Sequence, residues 1–223
     1  MNMTDLDAIR ERHSVRQYLD QPLRPEEITE LAEEVRTCNR EGGLHIQLVT
    51  DEPKAFNGFM AHYGKFSGVA NYFALVGKAG ADLQERCGYW GERLVLKAQQ
   101  MGLNTCWVAL TFSKVKSAYI VGNGEKLAAV IALGHGAVRG TSHKSKDMDE
   151  VIKVDGPLPD WFQAGMESVL LAPTAMNQQK FLFTLEDGKV SAQSTGGFYS
   201  KIDLGIVRYH FEIGAGKEHF QWR

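Results

Sequence analysis

The chain has 223 residues, too long for one small domain and short for two average ones, and 43% of them are hydrophobic, enough to bury a sizeable core. Its 25 Lys and Arg against 27 Asp and Glu leave a formal charge of −2, which gives no electrostatic reason to expect a nucleic-acid binder or a polybasic membrane anchor. No apolar run approaches the roughly 20 residues that span a bilayer, and the polar Met1–Arg12 stretch lacks the apolar core of a secretory signal. Cys38, Cys87 and Cys106 have no short spacing, and the histidines form no close ligand pair. A reduced, cytoplasmic protein without a disulfide framework or a structural metal is expected.

In chain order, Thr4-Asp5 caps a short helix through Arg12. A longer helix starts at Arg24-Pro25, with Ile28, Leu31, Ala32 and Val35 on one face, and stops at Gly42-Gly43. Leu44–Val49 alternates as a half-buried strand, and Tyr72–Val76 is a short buried strand. A helix over Gly88–Met101 ends at Gly102 and is followed by the β-prone Asn104–Leu110. Lys126–Leu133 is an apolar run ending at Gly134-His135-Gly136, and the polar Ala137–Asp149 reads as a surface loop. Then come a helix over Leu158–Leu171, a strand over Gln179–Leu185, and Asp187-Gly188, a strong two-residue hairpin signal. A last helix near Tyr199–Ile213 precedes the aromatic tail His219–Trp222. Helices and strands mix without regular βαβ alternation, so the class is α+β.

The order of elements repeats. Helix, turn and strand over Glu26–Asp51 match those over Pro159–Asp187, and the helix Tyr89–Gly102 followed by Trp107 matches Tyr199–Gly214 followed by Trp222.

Three segments carry binding chemistry. In extended backbone Arg12, Ser14 and Arg16 share a side, a shape suited to a phosphate because Arg gives forked donors and Ser a short one. Lys144 and Lys146 alternate in the same way within the polar loop. Ala172–Gln179 is built of small residues that let a planar ligand approach backbone, with Asn177 and Gln179 offering amide groups. Each also reads plainly: a solvated basic turn, a solvated lysine pair, and an ordinary helix-to-strand loop.

Together these segments resemble the FMN-dependent nitroreductase family. "RHSVRQY" (12–18) is similar to its N-terminal Arg-x-Ser-x-Arg/Lys signature, and "APTAMNQQKF" (172–181) to its Pro-Ser-x-x-Asn-x-Gln flavin loop. "GLNTCWVAL" (102–110) and "IALGHG" (131–136) with "KSKDMDEVI" (144–152) resemble its later strand, Gly motif and basic loop. The early flavin loop of ordinary members is missing around Thr37–Gly42, and an intact version comes only after residue 172. That departure resembles a single-chain pseudo-dimer subgroup of the family.

The resemblance implies a mixed, mainly antiparallel sheet flanked by helices and two repeat halves in one integrated domain, 1–155 carrying the phosphate grip and a shortened 156–223 carrying the ring loop. It implies that Arg12, Ser14, Arg16, Lys144 and Lys146 neutralise the FMN phosphate. His13 would sit beside the ribityl chain or ring, Gly134 would allow close approach, and Pro173, Thr174 and Ala175 would pack along the ring edge. Asn177 would hydrogen-bond the flavin, and Met176, Trp107 and Trp90 are candidates for lining the pocket. Hydride would pass from NAD(P)H as transient reductant through FMN to a small-molecule acceptor such as a nitroaromatic or quinone, with no protein acid or base required. One flavin per chain is expected, in a monomeric pseudo-dimer or a homodimer, with no metal, nucleic acid or membrane partner. The alternative is a flavin-binding carrier or sensor without turnover.

Overall fold

A computed structural model describes residues 3–223. The first helix, α1 (Asp5–Glu11), is capped by Thr4, whose hydroxyl accepts from the Asp7 N–H while Asp7 accepts from the Thr4 N–H. Helix α2 (Pro25–Gly42) begins on Pro25 and ends on the left-handed Gly43. Strand β1 (Gln47–Val49) is shorter than the Leu44–Val49 alternation predicts, and the short α3 (Phe59–Tyr63), which no periodicity announces, follows it.

Strand β2 (Asn71–Lys78), helix α4 (Leu83–Gln100), strand β3 (Asn104–Val108) and strand β4 (Glu125–Gly134) come next. Together β1, β2, β4 and β3 form an antiparallel sheet in that order. Residues Phe73 and Leu75 of β2 face the core shared with α4, while Tyr72, Ala74 and Val76 face a second apolar cluster with Phe56, Phe66 and Phe112. Both faces of β2 are covered, which is why it reads as a continuous apolar run rather than an alternation.

The remaining elements are β5 (Ile152–Val154), α5 (Asp160–Val169), β6 (Phe181–Glu186), β7 (Lys189–Ser194), α6 (Ser200–Ala215) and β8 (Gln221–Trp222). They build a second sheet, ordered β5-β6-β7-β8, with β5–β6 and β7–β8 parallel and β6–β7 antiparallel. The single sheet implied by the resemblance is therefore two. Strand β5 lies before residue 156, yet it belongs to the second sheet. Phe162, Phe183, Phe211, Phe220 and Trp222 fill the space between this sheet, α5 and α6, with Phe183 and Phe211 stacked at 5.0 Å.

Helices α4 and α6 lie between the sheets and cross on glycine. A side-chain carbon at Gly88 would stand 2.0 Å from the Ile202 carbonyl oxygen, and one at Gly205 would stand 2.0 Å from that of Glu85. Each glycine is the sixth residue of its helix. Helix α4 starts at Leu83, before the Gly88 that the sequence predicts as its start, and that glycine is a contact point within the helix. Among the described residues no helix is long and apolar enough to cross a membrane.

Candidate functional site

The chain leaving α1 is drawn along the first sheet. The Val15 N–H donates to the Thr105 carbonyl at 3.0 Å, so Ser14 lies beside the start of β3. Tyr18 then pairs with Gly136 beyond the end of β4. Val15 and Tyr18 turn inward as core, which leaves Ser14 half-buried and Arg16 exposed. Arg12, unlike Arg16, is buried. It is only 7% exposed, its Nη1 donates to the Leu171 carbonyl at 3.3 Å, and its Nε is buried without a partner. Burial pulls this guanidinium below its ordinary pKa, and the Glu92 carboxylate opposes the shift.

The carbonyls just past the end of α5 gather further donors. Leu170 O accepts from His143 Nε2 at 3.1 Å and from the Ser145 hydroxyl at 2.6 Å. A helix end has unpaired carbonyls, and here the basic loop and Arg12 satisfy them. The His143 pKa is lowered, by burial first.

The 172–179 loop is bound to the same basic loop. Lys144 O accepts from Asn177 Nδ2 at 2.8 Å and from Gln179 Nε2 at 2.9 Å. Gln179 Oε1 accepts from the Lys146 N–H at 2.9 Å, and the Gln179 carbonyl accepts from Lys146 Nζ at 3.2 Å. Thr174 Oγ1 accepts from the Gln179 N–H. On the other side Asp203 of α6 accepts from the Ala175 N–H at 2.9 Å and from Gln178 Nε2 at 2.7 Å. Asp203 is 3% exposed, and burial pushes its carboxyl up to about 6 against the lowering effect of those two bonds. Met176, Asn177 and Gln179 all hold left-handed backbone. For a residue with a side chain that conformation costs roughly 1–2 kcal/mol, so the hydrogen-bond net holds the loop in a shape it would not adopt alone. Met176, at its tip, is 92% exposed.

Three segments far apart in sequence thus meet. Arg12 touches Leu171, Lys144 touches Asn177, and Gly140 is packed against His13 and Ser14, where an added carbon would stand 2.8 Å from His13 Cβ. Among the described residues, none of Arg12, Arg16, Lys144 and Lys146 forms an ion pair with a carboxylate of the chain. Half-buried Pro173, Thr174 and Ala175 flank them, and His13 Nδ1 lies 2.9 Å from the Glu11 carbonyl.

Other sequence candidates sit differently. Both ends of the Asn177 amide are engaged within the chain, the oxygen accepting from Gln179. The space a side chain at Gly134 would fill is bounded by the Tyr18 ring at 3.1 Å. Trp107 donates to Glu92 at 2.8 Å, and Trp90 packs on Gly42, so both belong to the packing of α4.

Several residues at the site have no motif. Cys106 lies against Ser14, Arg12 and Arg16, its pKa raised by burial with those neighbours opposing. Glu92 and Asp203 are acids on buried helix faces. Their place on the apolar side of a helical pattern was the available signal.

Two sheets enclosing a pair of glycine-crossed helices, with a basic edge against a tied loop, define a nitroreductase-type fold. The chain belongs to the family described as "Putative TM nitroreductase", which it matches over residues 5–215. A structure from Thermotoga maritima described as a putative nitroreductase aligns with 98% of this chain and 86% of its own, at 20% identity and a TM-score of 0.65. One from Desulfovibrio desulfuricans, described as a putative nitroreductase in complex with FMN, aligns with 70% of this chain and 98% of its own, at 18% identity and a TM-score of 0.55. A nitroreductase of B. subtilis aligns with 66% of this chain and 72% of its own, at 16% identity and a TM-score of 0.51. No curated protein sequence matches the chain.

Proposed function

We propose that the protein is an FMN-dependent oxidoreductase that passes hydride from NAD(P)H to an oxidised acceptor such as a nitroaromatic or quinone. The observation that carries this reading is the set of four cations, two from residues 12–16 and two from 144–146, left without carboxylate partners beside a strained, tied-down loop. A phosphate dianion fits that donor set, and the unpartnered Arg12 Nε–H is one donor still to be satisfied. The FMN complex of the Desulfovibrio structure supports the choice of ligand.

On this reading Arg12, Ser14, Arg16, Lys144 and Lys146 hold the phosphate, and His13 lies along the ribityl chain. Residues Pro173–Ala175 pack on the ring edge, where Asn177 and Gln179 fix the loop's shape rather than reach for the ligand. FMN, when bound, supplies the two-electron chemistry, and the chain needs no acid or base of its own.

We further read the chain as two unequal repeats, 1–155 and 156–223, with one flavin site between them, in a monomeric pseudo-dimer or a homodimer. The glycine crossing at equivalent helix positions supports this, as does a whole FMN-bound relative spanning 70% of this chain.

The test is to purify the protein and look at it. A yellow protein bleached by NADH or NADPH is expected. A yellow protein that neither bleaches would favour a carrier or sensor, and one that is colourless and fails to bind added FMN would sink both readings. Arg12→Ala is expected to weaken FMN binding by about 1.5–3 kcal/mol, the worth of a charged hydrogen bond. An unchanged dissociation constant would remove Arg12 from the grip.

A further inference from the structure

We infer that the layer covering the second apolar cluster docks peripherally on an anionic lipid surface. The layer is made of residues 53–70, which include α3, and residues 111–124. The two segments lie side by side. The Ser113 N–H donates to the Ala55 carbonyl at 2.7 Å, and a side-chain carbon at Gly64 would stand 2.8 Å from the Thr111 side chain. Their inward residues, Phe56, Phe66, Phe112 and Tyr119, are buried with the side chains of β2 and β4.

The outward residues are unusual in two ways. The first is how apolar they are. Phe59 is 83% exposed, Tyr63 76% and Ile120 68%, and their chain neighbours Met60 and Val121 are exposed as well. Twelve large hydrophobic side chains are exposed among the described residues, and five of them stand in this layer, about a seventh of the chain. Scattered exposed leucines need no explanation, but such a concentration marks a contact surface.

The second is charge. Lys54, Lys65, Lys114 and Lys116 are all exposed, and the layer contains no Asp or Glu. About one residue in eight of the chain is acidic, so segments of this length would ordinarily carry about four acids. None of the four lysines forms an ion pair among the described residues. The rest of the chain carries 21 Lys and Arg against 27 Asp and Glu. The total of −2, which gave no reason to expect a membrane anchor, therefore averages a cationic face with an anionic body.

Together the two features select the partner. Lysines near a bilayer are drawn to anionic headgroups, and protruding rings and aliphatic chains enter the boundary between headgroups and acyl chains. A headgroup layer needs no matching shape, which suits side chains that stand out singly. Lysine, a charge without a fork, asks for no fixed geometry either. An acidic polypeptide would satisfy the lysines and leave the rings in water. With α3 only five residues long and no described helix able to cross a membrane, the association is peripheral.

The test is co-sedimentation of the full chain with vesicles of phosphatidylcholine alone and of phosphatidylcholine with an equal part of phosphatidylglycerol. Binding to the anionic vesicles is expected to be at least about tenfold tighter and to fall as salt is added. The Lys65→Ala/Lys116→Ala variant should lose about tenfold in affinity, and Phe59→Ser/Tyr63→Ser a similar factor. Both change exposed side chains, so their melting temperatures should match wild type. The inference is overturned by equal binding to the two vesicles, by no binding to either, or by unchanged affinity in either variant. Soluble polyglutamate binding as tightly as the anionic vesicles would also overturn it, and would reassign the face to an acidic protein. The inference does not rest on the flavin reading, and vesicle binding needs no flavin, so the two can fail separately.

Discussion

Two carboxylates between α4 and α6 are wired alike and placed differently. Glu92 of α4 accepts from the Trp107 indole, on the strand after its own helix, at 2.8 Å, and meets His210 Nε2 of the opposite helix at 2.9 Å. Glu212 of α6 accepts from the Trp222 indole, again on the strand after its own helix, at 2.8 Å, and from the Tyr89 hydroxyl of the opposite helix at 2.5 Å. Glu92 is four residues past Gly88, whereas Glu212 is seven past Gly205, one turn further from the crossing. That turn decides the environment. Glu92 and His210 are sealed at 0% exposure, while Glu212 meets solvent through the exposed Lys217 at 2.7 Å. The same set of bonds thus carries different consequences, because a buried polar group left unpaired cannot turn to water.

The sharpest break of this comparison is Glu92→Ala, which leaves the Trp107 indole N–H and the buried His210 ring without the carboxylate they face. A loss of about 3–5 kcal/mol is expected in denaturant unfolding. A loss below about 1 kcal/mol would mean that water reaches the site and the contrast is empty. Asp203 is the intermediate case, a buried carboxylate with two neutral donors and no cation. Its pKa rises from 3.8 to about 6 by burial. The unfolded chain therefore releases this proton first, and stability that is full below pH 3.8 is lost as pH rises through about 6. Two units correspond to about 3 kcal/mol, so wild type should weaken by up to that much relative to Asp203→Asn between pH 4 and 6. Parallel pH profiles for the two proteins would remove Asp203 from the account.

The elements that local chemistry controls were legible: Pro25 opening α2, the apolar β2, and the Asp187-Gly188 hairpin, where both residues take the left-handed backbone such a turn needs. What tertiary packing decides was not. Gly88 reads as the first residue of its helix until α6 is laid across it, and β5, three residues long, exists only because β6 pairs with it. The site divides in the same way. Arg12, Ser14, Lys144 and Asn177 stand in short motifs that anyone can see in the sequence. Glu92 and His210 are 118 residues apart, and Asp203 is 28 from the Ala175 N–H it holds, so no spacing rule links them.

The crossing itself is tested by Gly205→Ala, whose new carbon would stand 2.0 Å from the Glu85 carbonyl oxygen, a backbone atom that cannot turn aside. Parting the helices should cost about 1–3 kcal/mol and lower the melting temperature. The same change at Gly102, where an added carbon meets nothing within 4 Å, tests backbone strain without any clash. A Gly102→Ala variant as unstable as Gly205→Ala would mean that close approach is not what the glycine is for.

The smallest effect belongs to the outer carboxylate. Tyr89→Phe removes one hydroxyl donor from Glu212, yet Trp222 and Lys217 still bind it, and the rim lets water replace the lost bond. A loss of about 1 kcal/mol is expected, the net worth of an ordinary hydrogen bond. Lys217→Ala should cost less than about 1 kcal/mol and fade in high salt, as exposed pairs do. The double variant carries the argument. If one turn of helix is what separates the two carboxylates, removing both outer donors must still cost less than removing Glu92 alone. An outer loss that reaches the inner one would show that wiring, and not depth, sets the scale.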